Sequence, residues 1–76
     1  MKSNTLRDGR EKVREAVALA IRRLVRGGST PVQLAARFGV SPITIERWAT
    51  DTHPPYTRAS HLAPMLGIDP VTGRAA

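Results

Sequence analysis

The chain has no cysteine among its 76 residues, which excludes a disulfide framework, a thiolate nucleophile and any zinc site built on thiolates. Histidine is nearly as scarce. His53 and His61 have no further ligands at metal-binding spacing, so neither a metal nor another cofactor is expected. Acidic residues number six against twelve lysines and arginines, giving a formal charge of +6. A small domain with that imbalance is expected to gather on polyanions. Aromatic residues are limited to Phe38, Trp48 and Tyr56. They do not interleave with the arginines, which weakens a reading as a single-strand or RNA-binding platform. No apolar run approaches a membrane span, and the N-terminus lacks the apolar core of a signal peptide. No membrane partner is expected, and the lack of cysteine fits a reducing, cytoplasmic setting.

Catalytic machinery is missing from the inventory too. There is no glycine-rich phosphate loop and no pair of carboxylates that would make a cleft. Ser60 adjoins His61, but neighbours on a helix point apart, so no nucleophile–base pair follows. The chain is not expected to be an enzyme.

What is present is a succession of helix signals. Residues 1–10 are polar, carry Lys2, Arg7 and Arg10, and lack apolar periodicity, so they read as a flexible basic arm. From Glu11 to Arg26 the apolar residues Val13, Val17, Ala20, Ile21 and Leu24 fall on one face of an amphipathic helix. Asp8 is its expected N-cap, with Glu11 three residues on as in a capping box, and Gly27 and Gly28 stop it. Thr30, Pro31 and Gln33 then form a second start signal for a helix reaching Arg37 or Phe38. Gly39 permits a tight turn, and Ser41 with Pro42 opens a third helix to about Ala49. Pro54 and Pro55 exclude regular helix from residues 51–56. A fourth helix is expected over Thr57 to Leu66, short or restarted at Pro64 and ended by Gly67. Residues 69–76 read as a frayed tail, which leaves 11–68 as the folded domain. An apolar content of 41% is enough for one core. The expected architecture is an all-α bundle of four to five small helices.

Two capped helices joined at a glycine turn point to a helix-turn-helix. The run Gln33-Leu34-Ala35, Gly39-Val40-Ser41 and Thr44-Ile45-Glu46-Arg47-Trp48, followed by His61-Leu62-Ala63 and Leu66-Gly67-Ile68, resembles the small Cro and repressor-like, or Xre-type, proteins of bacteria and their phages. The resemblance spans roughly Val13 to Ile68 and is most specific over Gln33 to Trp48. It implies a lambda-repressor-like fold, binding of double-stranded operator DNA, and transcriptional control, usually repression. It also implies a cytoplasmic site of action in a bacterial or phage-infected cell. Pro64 departs from the family's smooth fourth helix, and no long dimerisation helix follows. A homodimer and a monomer aided by its arm both stay open.

Carried onto this chain, the family's recognition helix turns Ser41, Pro42, Ile43, Thr44, Glu46, Arg47 and Thr50 towards base edges, while Ile45 and Trp48 face inward. Arg47 can donate two bonds to guanine, or it can hold a phosphate or only pair with a nearby acid. By the same resemblance Gln33 holds a phosphate or braces the recognition helix, or it merely completes the capping box. Arg22, Arg23 and Arg26 either touch phosphate or complement the helix dipole. Arg37 and Arg58 are further phosphate candidates. Lys2, Arg7 and Arg10 act as a minor-groove arm or only as a solubilising tail. Trp48 shares its helix side with Ile45, which favours core over base stacking. Two other readings compete. In one, the chain is an architectural DNA-binding protein such as a phage excisionase, with a wing over residues 51–56. In the other it is an antitoxin-like interaction domain that binds a partner through Leu62, Met65 and Leu66.

Overall fold

Val13, Val17 and Ile21 recur at four-residue spacing and are wholly buried, so they form the apolar stripe around which the other helices assemble. The computed structural model describes residues 5–50 and 52–75, with side chains from residue 9 onward. Four α-helices run in order: α1 (Thr5–Arg26), α2 (Pro31–Phe38), α3 (Pro42–Thr50) and α4 (Tyr56–Leu62). A 3₁₀ turn, Ala63–Leu66, follows. The fold is all-α. The only β pairing among the described residues is an isolated antiparallel bridge between Ile68 and Ala75.

One core serves every element. The stripe of α1 meets Leu34, Ala35 and Phe38 of α2, Ile45 and Trp48 of α3, and Ala59 and Leu62 of α4 in a single buried cluster. α1 packs directly on α3, α4 and the 3₁₀ turn, and the closest partner of α2 is α3. Ala18, outside the expected stripe, is also fully buried, whereas Ala20 and Leu24 are half-buried at its edge.

The local signals act as their chemistry dictates. Thr30 accepts a hydrogen bond from the Gln33 amide at 3.1 Å, and the Gln33 side-chain carbonyl accepts one from the Thr30 amide at 3.1 Å. This is a complete capping box with Pro31 in the first turn. Gly39 closes α2 at φ 72°, a left-handed geometry that side chains disfavour. Its amide and that of Val40 both donate to the Ala35 carbonyl. Pro64 ends α4 early and opens the 3₁₀ turn, since a proline nitrogen cannot donate into a continuing helix.

Two expectations need correction. α1 begins at Thr5, not Glu11, so Asp8 and Glu11 lie inside the helix and do not cap it. Residues 69–75 are not a frayed tail. Asp69 Oδ1 accepts from the amides of Val71 (2.7 Å) and Thr72 (3.2 Å). The Asp69 amide donates to the Arg74 carbonyl at 2.7 Å, and the Gly73 amide donates to the Asp69 carbonyl at 2.9 Å. The resulting turn lies on α1. A Cβ on Gly9 would stand 3.0 Å from the Val71 carbonyl oxygen, and one on Gly73 would stand 2.7 Å from the Lys12 carbonyl. The two backbones approach closely along this seam, at Gly9 with Val71 and at Lys12 with Gly73.

Gly73 also adopts φ 77°. Gly73→Ala therefore adds backbone strain to a steric clash and should destabilise the domain by about 2 kcal/mol or more. On a domain of this size the melting temperature should fall by about 10 °C. An unchanged melting temperature would show that the turn does not rest on α1.

Candidate nucleic-acid interface

The exposed side of α3 begins with its own cap. Ser41 Oγ accepts from the Thr44 amide at 3.3 Å and lies 2.9 Å from Thr44 Oγ1. That pairing satisfies one of the free donors of the first turn and commits both hydroxyls to holding the helix start. Ile45 (fully buried) and Trp48 (6% exposed) anchor the opposite side. Between these constraints, Ser41, Pro42, Ile43, Glu46, Arg47 and Thr50 are exposed and Thr44 is half-buried. Ile43 is 62% exposed, so it is surface rather than core. In the last turn of α3, the Thr50 hydroxyl donates back to the Glu46 carbonyl at 2.8 Å, with the Arg47 carbonyl 3.3 Å away. Arg47 is exposed, and the single ion pair among the described residues lies elsewhere.

The proposed phosphate contacts are spread over three helices. Arg23 and Arg26 are exposed in the last turn of α1, where they also complement its C-terminal dipole. Arg22 is half-buried, and its Nε has no hydrogen-bond partner, so only the far end of its guanidinium is available. Arg37 is exposed in the last turn of α2, its guanidinium 5.7 Å from the Phe38 ring centre. Gln33 is exposed, and its carbonyl is spent on the capping box. Arg58 lies on α4, where it borders an open hollow with Thr57 and His61.

The basic arm is not what the sequence suggested. Arg7 and Arg10 belong to α1, because the helix starts before them. The Arg10 guanidinium sits 5.1 Å from the Tyr56 ring centre, a cation–π contact that ties it to the start of α4. Lys2 lies outside the described residues.

Two features escaped the sequence. Arg14 Nε donates to the Pro54 carbonyl at 2.8 Å while its Nη1 pairs with Glu11 at 2.6 Å. It clasps the proline segment to α1 across forty positions of sequence, a distance no local pattern can signal. Val32, in the first turn of α2, is 65% exposed. A valine in an amphipathic helix reads as core by type, so nothing marked it as surface.

Residues 52–55 form no strand, and Leu62 is fully buried. Of the three residues named for a partner contact, Leu62 is therefore covered, while Met65 is exposed and Leu66 half-buried. No helix among the described residues is long and apolar enough to cross a membrane. Comparison of the chain with protein-family models, with curated proteins and with solved structures returned no match.

Because the Ser41 hydroxyl holds the first turn of α3, Ser41→Ala should cost about 1 kcal/mol and lower the melting temperature by about 4–8 °C. Ser41→Asp should retain the wild-type value, since aspartate caps equally well. Equal losses in both variants would deny the capping role.

Proposed function

We propose that the chain is a sequence-specific regulator that binds double-stranded DNA, sets α3 in the major groove and represses transcription in the manner of a Cro-like protein. The observation that carries this reading is the division of α3. Ile45 and Trp48 bury one side, while Arg47 and its neighbours stand exposed on the other. A helix held by its inner side on a small core can present its outer side to base edges, as a recognition helix must. The surplus of six positive charges supplies attraction to the phosphate backbone, and exposed arginines on α1, α2 and α4 are the groups to make it. Arg47 reads a guanine through its planar fork. Ile43 offers an apolar tip to a thymine methyl, and Glu46 accepts from cytosine or orients Arg47. Occupancy of an operator would block polymerase or a competing activator.

Selection of bound duplexes from a random pool at near-physiological salt tests the reading, and a defined motif is expected. On that motif, Arg47→Ala should lower discrimination between the best site and its single-base variants by about tenfold or more, with a smaller effect on random duplex. Equal losses on both would make Arg47 a phosphate contact. If no motif emerges and binding disappears with modest salt, sequence-specific recognition is refuted.

A further inference from the structure

Leu19 projects from the middle of α1 with 45% of its surface exposed. It borders an apolar groove of about 580 Å³ whose walls include Ala16, Ala20, Leu24, Met65 and Leu66. Met65 is itself 42% exposed. The charges beside Leu19 are ordered. Glu15 stands four residues before it and Arg23 four after, both exposed, and neither has an ion-pair partner among the described residues. Positions four apart lie one above another on a helix, so this face of α1 reads acid, leucine, base. Reversed end for end, that sequence is its own complement.

We propose that this face of α1 is an interface with a second copy of the chain, the two α1 helices crossing antiparallel about a two-fold axis at Leu19. A two-fold contact uses the same patch on both partners, so each must carry both halves of every interaction. This face does. Glu15 of each copy meets Arg23 of the other, and each Leu19 enters the groove beside the other copy's Leu19. The small side chains of Ala16 and Ala20 let the helices approach closely.

Lys12 and Arg26 constrain the crossing. They are exposed on the same side, seven residues either way from Leu19, and strictly aligned axes would set these like charges against each other. A crossing of about 50° removes the conflict. At a rise of about 1.5 Å per residue they stand roughly 10 Å from the crossing point, where the axes have diverged sideways by about 9 Å. Glu15 and Arg23, about 6 Å from the crossing, remain within reach of each other. The interface assigns Arg23 to protein rather than phosphate, and it uses no residue of α3.

Sedimentation equilibrium of the full chain without DNA, over roughly 10–500 µM, tests this. Reversible monomer–dimer association that weakens with added salt is expected. Glu15→Arg and Arg23→Glu should each lower the association constant by about tenfold or more, because each replaces two attractions with two repulsions. The double variant restores opposite charges in exchanged places and should recover most of the loss. Circular dichroism checks that the variants fold, and Leu19→Asp should abolish association without unfolding the chain. A chain that stays monomeric throughout, or a double variant no better than the singles, would overturn the proposal and leave the groove to a different occupant. Neither result bears on duplex selection, so the dimer and the DNA reading fail separately.

Discussion

Burial of the Val13–Val17–Ile21 stripe is the constraint on which the molecule depends. α3, α4 and the 3₁₀ turn are each too short to hold a helical conformation alone in water, and all three pack on α1. α1 is long enough, at 22 residues, to be the common surface. Ile45 and Trp48 of α3 share its core with Leu34, Ala35 and Phe38 of α2. The position and tilt of the exposed side of α3 are therefore set from beneath. A change in the core would shift the outer residues of α3 as a unit, which is how a rigid scaffold carries a surface helix.

Polar interactions play a different part. They fix ends and crossings more than they add to the core, where no polar or charged residue is buried among the described residues. The capping box at Thr30, the Ser41 cap and the Asp69 turn each satisfy amides that would otherwise lack partners. Arg14 does the converse for the proline segment, donating to the Pro54 carbonyl, and Arg10 lies over the Tyr56 ring. Most of the remaining arginines are left to solvent. That surplus of uncommitted charge is consistent with an anionic partner, and it stabilises the isolated fold little.

The parts of the fold legible in the sequence were those set by neighbours three or four positions apart. Thr30 with Gln33, the turn at Gly39, the cap at Ser41 and the break at Pro64 all act within a single helical turn. The inward placement of Ile45 and Trp48 followed from periodicity for the same reason. The misreadings came where distant segments meet. The packing of Gly9 carried no local mark, because the Val71 carbonyl that occupies the space a side chain would take belongs to the other end of the chain. Arg14 carried no mark of its partner Pro54. Of the candidate interface, the exposure of the α3 residues was legible. The inclusion of Arg7 and Arg10 in a helix was not, because polar residues without apolar periodicity look alike whether helical or extended.

The seam that sets Gly9 against Val71 and Lys12 against Gly73 closes a loop of about sixty residues, the widest closure described in this chain. Closing it costs chain entropy that the contacts of the assembled bundle must offset. Once shut, it behaves as a latch. Amides near the start of α1 and those of the terminal turn should exchange with solvent together and sooner than those around Ile21 and Ile45. The domain thus has a tightly held centre beneath α3 and a releasable edge at the joined ends of the chain.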